Sequence, residues 1–77
     1  MKITKLEHAT LVLEQGGDTA VIDPGVYTRP LTGLSNVRAI VMTHMHDDHC
    51  FEEQLDRIVA DNTDALIFGT DDVRKRL

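Results

Sequence analysis

The stretch from residue 36 to residue 61 leaves this chain few ways to fold. "NVRAIVMT", residues 36–43, is a β-branched apolar run of strand length. Its near-continuous hydrophobicity predicts a strand covered on both faces. Beyond a short loop the period changes. In "FEEQLDRIVAD" the apolar residues Phe51, Leu55, Ile58 and Val59 fall at i, i+4, i+7 and i+8, which is one face of an amphipathic helix. Asp47, Asp48, Glu52 and Glu53 are placed at its N-terminus, where negative charge suits the helix dipole. "NTD" breaks the helix, and "ALIFG" predicts a second buried strand. Thr70 is positioned to cap a final helix, with Asp71 and Asp72 in its first turn and Arg74, Lys75 and Arg76 near its end. Strand, helix, strand, helix in this order makes a parallel pair with a right-handed crossover.

The first third follows a different period. Ile3 and Leu6, then Leu11, Val12 and Leu13, mark two extended segments. Gly16-Gly17-Asp18 joins the second of these to "TAVID" at 19–23. Glycines at such a junction accept positive φ without a Cβ clash, so the segment reads as a hairpin. Pro24-Gly25, Pro30 and Gly33 keep the following segment irregular. The fold class is therefore α/β (α+β): an antiparallel β meander followed by βαβα. At 77 residues it is one small domain, which hides only about 60% of the surface its unfolded chain exposes. The lone cysteine, Cys50, leaves the fold without a disulfide.

Charge and patterning narrow the partners. A formal net charge of −5 argues against a nucleic-acid backbone or an anionic membrane, both of which need a positive surface. No apolar stretch is long enough to span a bilayer. "MKITKLEHATLVLE" has no sustained apolar run of the kind a signal peptide needs. A soluble, cytoplasmic protein acting on a small molecule is the expectation.

The chemistry concentrates in "THMHDDHC", residues 43–50, which holds three of the four histidines and two adjacent aspartates. His44 and His46 leave the end of a strand at i and i+2 and so point to one side, where two imidazoles can bind one metal ion. Asp48 and His49 follow after the chain turns and can face a second position. Imidazole with carboxylate suits zinc, and also iron or manganese. Cys50 is left out of the ligand set. A ligand cluster just beyond the carboxyl end of a strand sits where open α/β folds place their reactive sites. A surface histidine tract with adventitious metal affinity explains the spacing less well.

These residues carry a resemblance. "THMHDDH" resembles the His-x-His-x-Asp-His signature of the metallo-β-lactamase fold, a superfamily of metal-dependent hydrolases. "TAVIDPG" is similar to the strand ending in an aspartate, here Asp23, that precedes it there. "HATLVLE" resembles the second strand of the branch related to ascorbate-6-phosphate lactonase, which begins near a histidine, here His8. Glu7 stands where that branch often has glycine.

The resemblance implies the N-terminal part of a four-layer αββα sandwich, with residues 1–77 as a single partial domain. It implies two divalent metal ions, zinc by preference with manganese or iron as alternatives. His44 and His46 would hold the first, and Asp48 and His49 the second. Asp48 would also act catalytically, orienting or deprotonating the attacking water. Asp23 would stand behind the ligands and hydrogen-bond the histidine loop, and His8 would lie in the substrate pocket. The implied activity is hydrolysis of a lactone, ester, amide or phosphodiester by a zinc-bound water. RNA-cleaving relatives share the signature, but the acidic balance counts against nucleic acid here. The family's ions need further ligands, and no histidine follows His49, so 77 residues alone imply an incomplete enzyme. The alternatives are a metal-binding or structural module without catalysis, and a half-domain completed by another chain. With one sheet and no partner sheet, an apolar face would be exposed, which a second copy or a complementing chain would cover.

Overall fold

The computed structural model describes residues 1–77. Five strands and two helices follow in the order β1 (Lys2–Lys5), β2 (Leu11–Gln15), β3 (Asp18–Ile22), β4 (Val37–Met42), α1 (Glu52–Asp61), β5 (Leu66–Gly69) and α2 (Asp71–Arg76). One sheet holds all the strands in the spatial order of the sequence. β1, β2 and β3 form the expected antiparallel meander. β3 then pairs parallel with β4, and β4 parallel with β5. Gly16 and Gly17, at φ 61° and 86°, turn the β2–β3 hairpin in the left-handed region that glycine enters freely.

Side chains alternate across a strand, so the register sorts them into two faces. Val12, Val21 and Ile40 share one face through the pairs Val12↔Val21 and Val21↔Ile40. Against it pack Leu55 and Ile58 of α1 and Val73 of α2, in a core that also holds Leu31, Val37, Met42 and Cys50. Both helices therefore cover the same side. The other face carries Ile3, Leu13, Ala20, Ala39 and Leu66 in one cross-strand row, and Lys5, Leu11, Ile22, Val41 and Phe68 in the next. Nothing covers it. Ile3, Leu66 and Phe68 remain 63%, 62% and 51% exposed.

The structure departs from the sequence expectation at three points. β5 is not a buried strand: every residue in it is exposed, because it is the sheet edge and one of its faces is bare. β4 is fully covered on one face only. Val37, Ile40 and Met42 are buried, while Ala39 and Val41 are half-buried. The helix after the histidines starts at Glu52, so Asp47 and Asp48 belong to the preceding loop rather than to its first turn. The N-terminal position of α1 is Phe51, whose backbone N–H donates to the Pro24 carbonyl instead of receiving a side-chain cap.

Two buried amides tie the loops to α1. The Gln54 side chain accepts from Leu31 N and donates to the carbonyls of Gly25, Thr28 and Arg29. Asn62, just past the helix, accepts from Val37 N and donates to the carbonyls of Leu34 and Ile58. Buried amides satisfied in this way fix a loop as firmly as an apolar contact and more specifically. No helix is long and apolar enough to cross a membrane.

Candidate metal centre

The histidine loop leaves β4 at Thr43 and rejoins regular structure at Glu52. It is held at its base by Asp23, the residue that follows β3. Asp23 is 4% exposed and sits at φ 52°, a left-handed conformation that Asp tolerates better than most residues. Its carboxylate accepts from Thr43 N at 2.7 Å and Thr43 Oγ1 at 2.6 Å. The same oxygen that meets Thr43 Oγ1 lies 2.8 Å from His49 Nδ1. A carboxylate only accepts, so Nδ1 carries the proton and Nε2 keeps its lone pair. That free Nε2 faces Asp48 Oδ2 at 3.5 Å.

His8, in the β1–β2 turn at the same end of the sheet, reaches the same point. Its Nε2 is 2.9 Å from Asp48 Oδ2, and its ring meets Tyr27 edge-on with centroids 5.4 Å apart. His8, Asp48 and His49 each offer a ligand atom, and these atoms lie within 4.8 Å of one another. His44 stacks on His49, with centroids 4.6 Å apart and planes 20° from parallel. His46 stands further out, its ring 6.3 Å from that of His44. It lines an open cavity of about 640 Å³ together with Tyr27, Asp48 and Arg76. The structure thus brings Asp48 and His49 together with His8, keeps His44 against them, and leaves His46 at the rim. Cys50 is fully buried in the core, and burial pushes its thiol up from the ordinary value.

A family model described as a β-lactamase superfamily domain matches residues 2–74. The chain belongs to the β-lactamase superfamily. Protein Rv0786c of Mycobacterium tuberculosis is 30% identical over 69 residues, covering 90% of this chain and 32% of that protein. A UPF0173 metal-dependent hydrolase of Flavobacterium johnsoniae is 31% identical over 78 residues, covering 95% of this chain and 33% of that protein. The chain thus spans about a third of the length of these curated relatives. No solved structure gives a significant match.

Within this β-lactamase superfamily chain, three supports around the cluster had no local signature in the sequence. The first is Gly25. A Cβ there would lie 1.9 Å from the Asp48 carbonyl oxygen, so only glycine lets the 24–26 turn press against the ligand loop. Val26 N donates to the Asp47 carbonyl across that contact. The second is Arg76, at the end of α2, which donates to the Met45 carbonyl and to Asp47 Oδ1.

The third support is the clamp on the His8 turn. His8 sits at φ 58°, a conformation costing about 1 kcal/mol or more outside glycine. Leu6 N donates to the Thr10 carbonyl, and Thr28 Oγ1 donates to the Glu7 carbonyl. Arg29 grips the Glu7 carboxylate with Nε and Nη2. That grip, chiefly its hydrogen bonds, lowers the Glu7 pKa to about 2. The Asp48 carboxyl is likewise held below its ordinary value, chiefly by the hydrogen bond from His8.

Proposed function

We propose that this chain carries the metal-binding loop of a metal-dependent hydrolase. The observation that carries the reading is the Asp23–His49–Asp48 arrangement. It consists of a buried carboxylate fixing one imidazole tautomer, with the free nitrogen aimed at a second carboxylate. Ligand histidines need that kind of backing. Membership of the β-lactamase superfamily and similarity to a relative named as a metal-dependent hydrolase support it.

In this proposal Asp48 and His49 hold one divalent ion, and His44 and His46 hold a second. Zinc suits the donor set, and manganese or iron also fit it. Such ions supply an activated nucleophile at neutral pH and polarise the oxygen under attack. The chain's own residues do the rest. Asp23 keeps His49 in one tautomer, and Asp48 orients the attacking water. Tyr27 and His46 border the open cavity that admits the substrate. The substrate class is a lactone, another ester, an amide or a phosphodiester.

The bare sheet face favours one addition. Four donors give two per ion, so another stretch of polypeptide packed on that face completes the catalytic unit.

The test is metal content and hydrolysis of the intact protein. Purified protein is expected to retain a divalent metal through gel filtration. It should hydrolyse at least one of a panel of lactone, aryl ester and phosphodiester substrates. The activity should be lost to a chelator, restored by zinc or manganese, and absent from His46→Ala. Hydrolysis that survives both chelation and His46→Ala would contradict the reading, as would protein that binds no metal.

A further inference from the structure

We propose that His8 is a third protein donor to the ion held by Asp48 and His49. The inference rests on the metal-binding reading above and assigns to the site a residue from outside the histidine loop. The three ligand atoms converge within 4.8 Å. Ligands at about 2.0–2.1 Å from zinc lie roughly 3–3.5 Å from one another. Asp48 Oδ2 is 2.9 Å from His8 Nε2 and 3.5 Å from His49 Nε2, so small adjustments admit an ion among them once the proton that His8 Nε2 donates to Asp48 passes to its Nδ1 or to solvent.

The placement of His8 is built and not incidental. Its backbone occupies the left-handed region at φ 58°, where an unconstrained histidine would relax. It is kept there by bonds that do not involve its ring. Lys5 Nζ donates to the His8 carbonyl, Thr28 donates to the Glu7 carbonyl, and Arg29 forks the Glu7 carboxylate. Thr10 Oγ1 donates to the Asp23 carbonyl. The His8 turn is therefore tied to the same aspartate that orients His49. Two donors that must meet at one point hang from one buried residue. A histidine whose only task was to contact substrate would need no such common anchor.

The experiment is a zinc titration of the intact protein, with affinity read by competition against a chromophoric chelator. The imidazole nitrogens are followed in parallel by 15N NMR. The variant is His8→Asn, because asparagine tolerates positive φ and so removes the imidazole without adding strain. His49→Ala is the control for the site itself. Dispersed backbone amide spectra establish that each variant is folded.

The expected result has two parts. The His8 Nε2 resonance moves to a metal-bound position on adding zinc to the wild type. His8→Asn weakens zinc binding by on the order of a hundredfold, at or beyond the loss seen on removing an indirect partner of a ligand. Zinc binding lost in His49→Ala, with His8 Nε2 unmoved and His8→Asn within threefold of wild type, overturns the role of His8 and leaves the metal site standing. A wild-type protein that binds no zinc, manganese or iron overturns both.

Discussion

The two halves of the histidine loop differ in how they are held. Asp48 and His49 are half-buried and tied to distant parts of the chain: His49 to Asp23 just after β3, and Asp48 to His8 in the β1–β2 turn. His44 and His46 are exposed. Their side chains meet no hydrogen-bond partner in the protein, and ring contacts alone place the two imidazoles. One half is preorganised and the other is not. The difference teaches that the spacing of a ligand motif does not by itself make a site. The supports make it, and here the side-chain anchors reach Asp48 and His49, while Arg76 holds only the backbone between His44 and His46.

Removing the anchor should do the most damage. Asp23→Ala strands Thr43 N, Thr43 Oγ1 and His49 Nδ1 together. Loss of about 3 kcal/mol of stability is expected, measured by urea denaturation, with zinc affinity falling as well. A loss under about 0.5 kcal/mol would show that Asp23 is no anchor.

Gly25→Ala tests the close approach beneath the loop. Its Cβ cannot share space with the Asp48 carbonyl, so the turn or the loop must shift. About 2 kcal/mol is expected, and the His49 ring resonances should move more than those of His46.

The clamp on the His8 turn predicts a pH effect. Folded Glu7 titrates at about 2 against an ordinary 4.5. Its pairing with Arg29 therefore stabilises the fold fully above the ordinary carboxylate range. The contribution is lost as pH falls from there through the folded value. Exposed pairs of this kind contribute modestly. Carboxyl NMR should show the depressed midpoint in the wild type and its return toward the ordinary value in Arg29→Ala.

The smallest stability effect belongs to the unanchored half. His44→Ala and His46→Ala should each leave urea midpoints within about 0.5 kcal/mol of wild type while weakening metal binding. A larger loss of stability in either would erase the contrast between the halves.

Much of this was legible in the chain. Gly16-Gly17-Asp18 marked the hairpin, the 36–43 run marked β4, and Leu55, Ile58 and Val59 marked the buried side of α1, because each signal is local and periodic. The exposure of β5 was not legible. "LIFG" is apolar whether or not anything lies against it. Gln54 lies beside the apolar stripe, and nothing in the helical period says that a polar residue there will be buried and hold a loop. Gly25 read as turn punctuation, whereas its nearest constraint is the backbone at Asp48. The meeting of His8 with Asp48 spans 40 residues, and no pattern of spacing encodes a contact at that range.

If the proposed metal site is right, Asp23 presets His49 to receive a metal ion. The most direct measurement is the tautomer of His49 in metal-free protein, read from long-range 1H–15N correlations of the imidazole ring. A proton on Nδ1 and a bare Nε2 are expected, with Nε2 moving to a metal-bound shift when zinc is added. A proton on Nε2 in the metal-free protein, or a His49 ring that does not respond to zinc, would contradict it.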